Sequence, residues 1–441
     1  MECRWVEKPL GELISYMGRG IAPKYTEKQD ESSVLVLGQR CVRNQKIVLS
    51  QARFHDVQAK PVKAAKAIAP YDILINATGV GSAGRVAQVV DSLPNGATTD
   101  SHVLTLRAKE IDPLYLGYFV KAKQGAIERM AEGSTGQTEM NKERLSSEII
   151  VTYPEDVGLQ RGIASILLTL DREIALNSRI NDHLLEIALA EYRELSQQSR
   201  CICALQDCTS LLCRGGAPKY SEMGKFRALN QRCIRNHKIV SEKARTIEEP
   251  RSGEKLLRRG DVLICSTGTG TLGRVAQVLF KEEQVTVDSH VTIVRPAHEA
   301  LVEYLGCWAL SSESQFESMA KGSTGQTELP RIELAELEVR LPDSTHLRDF
   351  SEGTKPLFEA IQNNIQENQS LEHLRSILLP KLMSGEIDVS RIDLKRLNGH
   401  LPVLLFAFRI RASAFSEASF GTAHRENRCA ESRRHRHLRT R

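Results

Sequence analysis

The chain's 441 residues, 41% of them hydrophobic and 5% aromatic, suffice for two or three domains with cores of their own. No apolar run approaches the roughly eighteen residues of a membrane span, and Met1-Glu2-Cys3-Arg4-Trp5 opens without an apolar signal segment, so no membrane partner is expected and the cytoplasm is the expected compartment. The net charge of +5 lies in a tail from Arg396 onward, with ten Arg, three Glu and neither Lys nor Asp, so any nucleic-acid footprint in residues 1–395 must come from local patches.

In chain order the sequence is one unit written twice. Arg19-Gly20-Ile21-Ala22-Pro23-Lys24-Tyr25 returns as Arg214-Gly215-Gly216-Ala217-Pro218-Lys219-Tyr220. Gln39-Arg40-Cys41-Val42-Arg43-Asn44-Gln45-Lys46 returns as Gln231-Arg232-Cys233-Ile234-Arg235-Asn236-His237-Lys238. Gly84-Arg85-Val86-Ala87-Gln88 returns as Gly273-Arg274-Val275-Ala276-Gln277, and Asp100-Ser101-His102 as Asp288-Ser289-His290. Gly133-Ser134-Thr135-Gly136-Gln137-Thr138-Glu139 returns as Gly322-Ser323-Thr324-Gly325-Gln326-Thr327-Glu328. Within each copy, β-rich runs at 72–75 and 261–264 lead through a Gly-rich turn into second runs at 86–90 and 275–279. A further strand is predicted at 103–106 and 291–294, and a short helix at 114–129 and 301–320.

Each copy closes with a long helix. From Leu159 to Ser196, the residues Ile163, Leu167, Leu170, Ile174, Asn177, Asn181, Leu184 and Ala188 recur at alternating three- and four-residue steps, the period of a coiled-coil seam. The second helix, from Leu347 to Ser384, repeats the pattern and carries Asn364 and Asn368 on its seam. An antiparallel run is favoured, because the domain between the helices must return the chain to the far end. It would set Asn177 and Asn181 against Asn364 and Asn368, amide to amide, and fix register; asparagines on a broader solvent-facing surface are the other reading. Gly385 reads as a helix C-cap. Residues 398–441 have no heptads and no repeat partner, and read as a phosphate-binding arm or as an appendage without function.

Catalytic signatures are missing. Gly79-Val80-Gly81-Ser82-Ala83-Gly84 and Gly268-Thr269-Gly270-Thr271-Leu272-Gly273 match G-x-G-x-x-G, but Arg-Val-Ala-Gln-Val follows each and alternates like a strand. Each is therefore a strand–turn–strand loop rather than a dinucleotide site. Asp100-Ser101-His102 sets hydrolase residue types side by side, where adjacent strand residues face opposite ways. Neither a nucleophile elbow nor an amino-methyltransferase Asn/Asp-Pro-Pro-aromatic motif occurs. Cys201, Cys203, Cys208 and Cys213 lack the spacing of a zinc site and read as free thiols, so no metal is assigned.

What remains suits binding. Gln39, Arg40, Arg43, Asn44, Lys46 and Arg53 lie in a segment without an acid, and its counterpart holds Gln231, Arg232, Arg235, Asn236, Lys238 and Arg245. Such residues neutralise phosphates and make bidentate contacts to base edges. Arg19, Lys24, Tyr25 and Arg85, with their copies Arg214, Lys219, Tyr220 and Arg274, join them as candidates. So do the small donors Ser134, Thr135, Gln137, Ser323, Thr324 and Gln326. A solvated charged surface is the alternative for either basic segment taken alone.

This organisation resembles the DNA-specificity subunit of type I restriction–modification systems. The resemblance covers about residues 5–395 and rests on the two-domain, two-helix layout, the Gly-Ser-Thr-Gly-Gln-Thr-Glu loops, and Leu378-Leu379-Pro380-Lys381-Leu382-Met383-Ser384-Gly385-Glu386-Ile387. The tail after about residue 397 departs from the family. The resemblance implies an α+β chain of two tandem α/β target-recognition domains joined by two long helices in an antiparallel coiled coil. The expected divisions are 1–155, 156–198, 199–343, 344–386 and a basic tail, 387–441. It implies a non-catalytic subunit that binds double-stranded DNA and holds two methyltransferase (M) subunits and restriction (R) subunits. S-adenosylmethionine, ATP and Mg would belong to those partners, with no cofactor on this chain. The helix pair would act as a ruler between two half-sites. Because the two domains are close copies, the half-sites are expected to be related and inverted, with differences arising at mismatches such as Gln45 against His237 and Ala83 against Leu272. A non-catalytic nucleic-acid-binding adaptor outside restriction–modification is the alternative.

Overall fold

The computed structural model describes residues 4–94, 96–132, 139–250, 252–281, 284–322, 327–387 and 389. The described residues form two compact units, 4–171 with those from 373 onward, and 172–372. The expected tail beyond residue 389 lies outside the described residues. Among the described residues, no helix is long and apolar enough to cross a membrane.

In the first unit, Trp5–Pro9 pairs antiparallel with Ile150–Pro154, so the chain enters and leaves the β-rich lobe at one place. Between them, Ile14–Arg19, Val103–Ala108, Ile73–Asn76 and Val86–Gln88 form a four-stranded antiparallel sheet in that order. Ala97–Thr99, Ser33–Leu37, Arg53–Asp56 and Tyr25–Thr26 form a second sheet, its first pair parallel. Strand Ile73–Asn76 is buried throughout, and Leu74 packs with Leu35 and Leu37 of the second sheet. A strand covered on both faces shows no polar alternation, which is why this one reads as an unbroken apolar run.

The second unit repeats the plan. Cys201–Ala204 pairs with Glu338–Leu341, and Thr209–Arg214, Val291–Pro296, Val262–Cys265 and Val275–Gln277 form the four-stranded sheet. Its central strand divides between two cores. Val262 and Ile264 face Tyr304, Phe350 and Phe358, while Leu263 and Cys265 pack with Leu229 and Val287.

The single short helix predicted in each copy is two. Pro113–Ala122 and Gln124–Arg129 break at Lys123, and Val302–Ser311 and Glu313–Ser318 break at Ser312. Close packing accounts for the break. A Cβ on Gly84 would stand 2.5 Å from Glu128 Cα, and one on Gly273 2.8 Å from Glu317 N, so the second helical piece is turned to lie directly on the Gly-rich turn. Asp112 starts the first piece by accepting the Tyr115 N–H at 2.9 Å, with Pro113 at the first helical position.

The two long helices are Val157–Gln198, of 42 residues, and Ser344–Met383, of 40 residues, each roughly 60 Å at 1.5 Å per residue. Within the second unit they pack antiparallel. Asn177 Nδ2 donates to Asn368 Oδ1 at 3.1 Å, and Asn364 Nδ2 to Asn181 Oδ1 at 2.8 Å. Asn177 and Asn181 are buried, so the first helix does not turn these amides to solvent. The C-terminal helix continues through Gly353, Pro356 and Pro380, each of which opposes a helix interior. Burial of Phe350, Phe358 and Ile361 in the adjoining core outweighs them. The helix ends at Gly385, whose φ of +76° and whose place against Trp5 suit no residue with a Cβ.

In the first unit a polar cluster lies between the helical pieces and the β lobe. Arg375 pairs with Asp171 at 2.8 Å, Asp171 accepts the Tyr118 hydroxyl at 2.9 Å, and Lys121 lies over the Tyr118 ring. Burial brings Lys121 down to about 8 despite the attraction of Asp171. Below pH 8 both the folded and the unfolded chain hold this proton, and the full burial cost stands. Between about pH 8 and 10.5 only the unfolded chain keeps it, so this group makes stability rise with pH across that window. Leu310 stands at the corresponding place in the second copy. K121M is therefore expected to gain about 1–3 kcal/mol at pH 7 and to lose the rise above pH 8. Urea midpoints at pH 7 and 9.5 check this; the same pH dependence in both proteins would contradict it.

Candidate nucleic-acid interface

Each basic segment folds as a tight hairpin. Val42–Arg43 pairs with Lys46–Ile47, and Ile234–Arg235 with Lys238–Ile239. The turn residues Asn44 and Gln45 have φ of 49° and 59°, and Asn236 and His237 have 48° and 60°. Positive φ at both central residues marks the hairpin turn whose twist suits the flanking strands, and Asn tolerates it better than most residues. This geometry leaves Arg40, Arg43 and Asn44 exposed in one unit and Arg232, Arg235 and Asn236 in the other.

The next turn residue points inward instead. Gln45 Nε2 donates to Lys121 O at 3.0 Å, and Arg375 Nη2 donates to Gln45 Oε1 at 2.9 Å. His237 Nε2 meets Glu313 Oε2 at 2.7 Å. Ala83 and Leu272 are buried. These four residues, the two mismatches expected to distinguish the half-sites, serve packing in their own units. Lys46 stays exposed, whereas Lys238 pairs with Asp182 at 3.0 Å.

Arg53 lies over the Tyr25 ring at 3.3 Å and Arg245 over Tyr220 at 3.4 Å. With exposed Lys24 and Lys219 next to the tyrosines, each unit presents a stacked cation–aromatic pair beside a lysine. Burial, reinforced by the Asp100 carboxylate, raises the Tyr25 phenol above its usual range. It therefore stays neutral.

Other candidates act as internal braces. Arg19 pairs with Glu139; Arg214 pairs with Glu328 at 2.6 Å and donates to Leu329 O at 2.9 Å. Gln39 Nε2 donates to Thr78 O at 2.8 Å, and Gln231 Oε1 accepts from Thr271 at 3.1 Å. Arg85 and Arg274 clasp their own turns, donating to Gly81 O and Gly270 O at 2.6 Å in each case. The G-x-G-x-x-G segments are hairpin turns between paired strands, as expected. Ser134, Thr135, Gln137, Ser323, Thr324 and Gln326 lie outside the described residues.

Two groups were not singled out as binding candidates. His102 and His290 are exposed beside the Gly-rich turns, and the signal for them was the return of Asp-Ser-His in both copies. Cys203 and Cys208 stand Sγ to Sγ at 2.7 Å, and burial together with Cys203 pushes Cys208 up to about 12. No cluster of three His, Cys, Asp or Glu that could hold a metal occurs among the described residues.

Residues 3–186 match the family described as type I restriction modification DNA specificity domain. That match spans the first β-rich domain and most of the first long helix. No curated protein matches the chain's sequence. A crystal structure of a type I restriction–modification system S subunit from M. genitalium superposes with a TM-score of 0.52 at 16% identity, covering 86% of this chain and 96% of that one. That likeness is one of fold: two β-rich domains and two long helices packed together. The HsdS subunit from Thermoanaerobacter tengcongensis aligns over 87% of this chain and 97% of its own at 14% identity, with a TM-score of 0.32.

Proposed function

We propose that this specificity subunit reads a bipartite double-stranded DNA target, one half per recognition domain, with related and inverted half-sites. It scaffolds two methyltransferase subunits and restriction subunits, on which S-adenosylmethionine, ATP and Mg serve. The observation that carries this is the duplicated hairpin: Arg40, Arg43 and Asn44 in one copy and Arg232, Arg235 and Asn236 in the other are exposed on turns of the same geometry. Arginine and asparagine so displayed contact phosphates and base edges. The antiparallel asparagine pairs support inversion, and the burial of Asn177 and Asn181 against Asn368 and Asn364 supports a register role for all four.

An RNA-binding adaptor outside restriction–modification would need free aromatic platforms. The exposed Tyr25 and Tyr220 rings are already covered by Arg53 and Arg245, which disfavours that reading. Binding of duplex DNA by the subunit assembled with methyltransferase, measured from 50 to 200 mM salt, tests the proposal. R43A/R235A is expected to flatten the slope of log affinity against log salt by about 1.8, at about 0.9 per phosphate contact. An unchanged slope, or single-stranded RNA competing as well as duplex DNA, would overturn it.

A further inference from the structure

The two copies inside one chain separate what is kept from what varies. In both, the three glycines of the turn have positive φ: 102°, 69° and 84° at Gly79, Gly81 and Gly84, and 102°, 72° and 87° at Gly268, Gly270 and Gly273. A Cβ on Gly79 would stand 2.5 Å from Ser82 Oγ, and one on Gly268 2.3 Å from Gln231 Oε1. With the arginine clasps, this makes each turn a closed, stiff projection.

Beside each turn stands a histidine held in the same way. Asp100 Oδ1 accepts the His102 backbone N–H at 2.9 Å, and Asp288 Oδ1 that of His290 at 2.9 Å. His102 Nδ1 meets Thr78 Oγ1 at 2.9 Å, and His290 Nδ1 meets Thr267 Oγ1 at 2.6 Å. In the first unit Gln39 Nε2 donates to Thr78 Oγ1, which leaves the threonine its own proton to give to His102 Nδ1. The neutral ring then carries its remaining proton on Nε2. His102 is exposed, and Nε2 has no partner among the described residues.

At the exposed apex the copies differ. Val80 is 75% exposed, and an exposed Thr269 takes its place in the second copy. No described packing calls for a large apolar side chain at so open a position.

We infer that the turns Thr78–Gly81 and Thr267–Gly270 are base-reading tips of the two units, and that His102 and His290 seat them by donating Nε2–H to backbone phosphates. This rests on the DNA reading proposed above. Phosphates are the same in every sequence, so a residue kept in both copies suits them; base edges differ, so a differing apex suits those. Valine offers a thymine methyl only an apolar contact, whereas threonine adds a hydroxyl that bonds to a base edge.

The test is selection of bound duplexes from a randomised library, with affinities measured for single sites, using the subunit assembled with its methyltransferase partners. V80T is expected to change the preferred base at one position of one half-site, making that half resemble the other. H102A is expected to weaken every site about tenfold without altering base preference or the thermal midpoint. H102Q, which keeps an N–H donor, should recover most of the loss. V80T selecting the parental sequence would remove the tip from base reading, and H102A altering base preference would refute the phosphate role. A parent that binds DNA while both variants match it overturns this inference alone. A parent that binds no DNA overturns the reading beneath it.

Discussion

D261A is expected to destabilise the second unit by about 3–5 kcal/mol. Asp261 and Arg295 are both buried and joined by two parallel hydrogen bonds, Nε to Oδ1 at 2.8 Å and Nη2 to Oδ2 at 2.7 Å. The guanidinium also donates to Leu256 O at 2.7 Å and Glu254 O at 3.1 Å, and Asp261 Oδ2 accepts the Arg258 N–H at 2.8 Å. Removing the carboxylate strands a buried cation, and that cost far exceeds the net worth of the pair. Replacing both residues together, as in D261L/R295M, should recover most of the loss.

The first unit supplies the control. Asp72 and Arg107 make the same fork at 2.9 and 2.7 Å, but the Arg107 side chain is 31% exposed. Water can reach that guanidinium, so D72A is expected to cost less than D261A. Urea midpoints of the variants settle the comparison. A D261A loss under about 1 kcal/mol, or equal losses at the two sites, would contradict this account of burial.

Much of this fold was legible because the sequence states it twice. A seam at three- and four-residue steps has few structural meanings, and the need to return the chain across the second domain pointed to the antiparallel match of its Asn layers. Strands such as Ile73–Asn76 showed as apolar runs because both faces are covered. The broken helices at Lys123 and Ser312 were not legible, since the break answers to a backbone packed on Gly84 and Gly273 from far along the chain. The candidate site was legible by segment rather than by side chain. Arg43 and Gln45 lie two residues apart on one hairpin, yet one is exposed and the other is bonded to Lys121 and Arg375. Only the turn's positive φ angles decide that. Likewise, Arg85 and Arg274 looked available for DNA, but each is committed to a carbonyl of its own turn.

The second large effect concerns the DNA sequence itself. The two recognition domains repeat the same hairpin, the same Gly-rich turn and the same Thr–His pair, and the helices beside the second one pack antiparallel. Similar readers that meet the duplex in opposite orientations, as proposed above, should favour an interrupted, nearly palindromic site. Each mismatched base pair typically costs about 1–3 kcal/mol, so exchanging one half-site for an unrelated sequence should lower affinity by several orders of magnitude. The most direct measurement is to map the bases methylated by the complete system across a genome. The account predicts one interrupted motif whose two halves are inverted relatives, differing at few positions; two unrelated half-sites would contradict it.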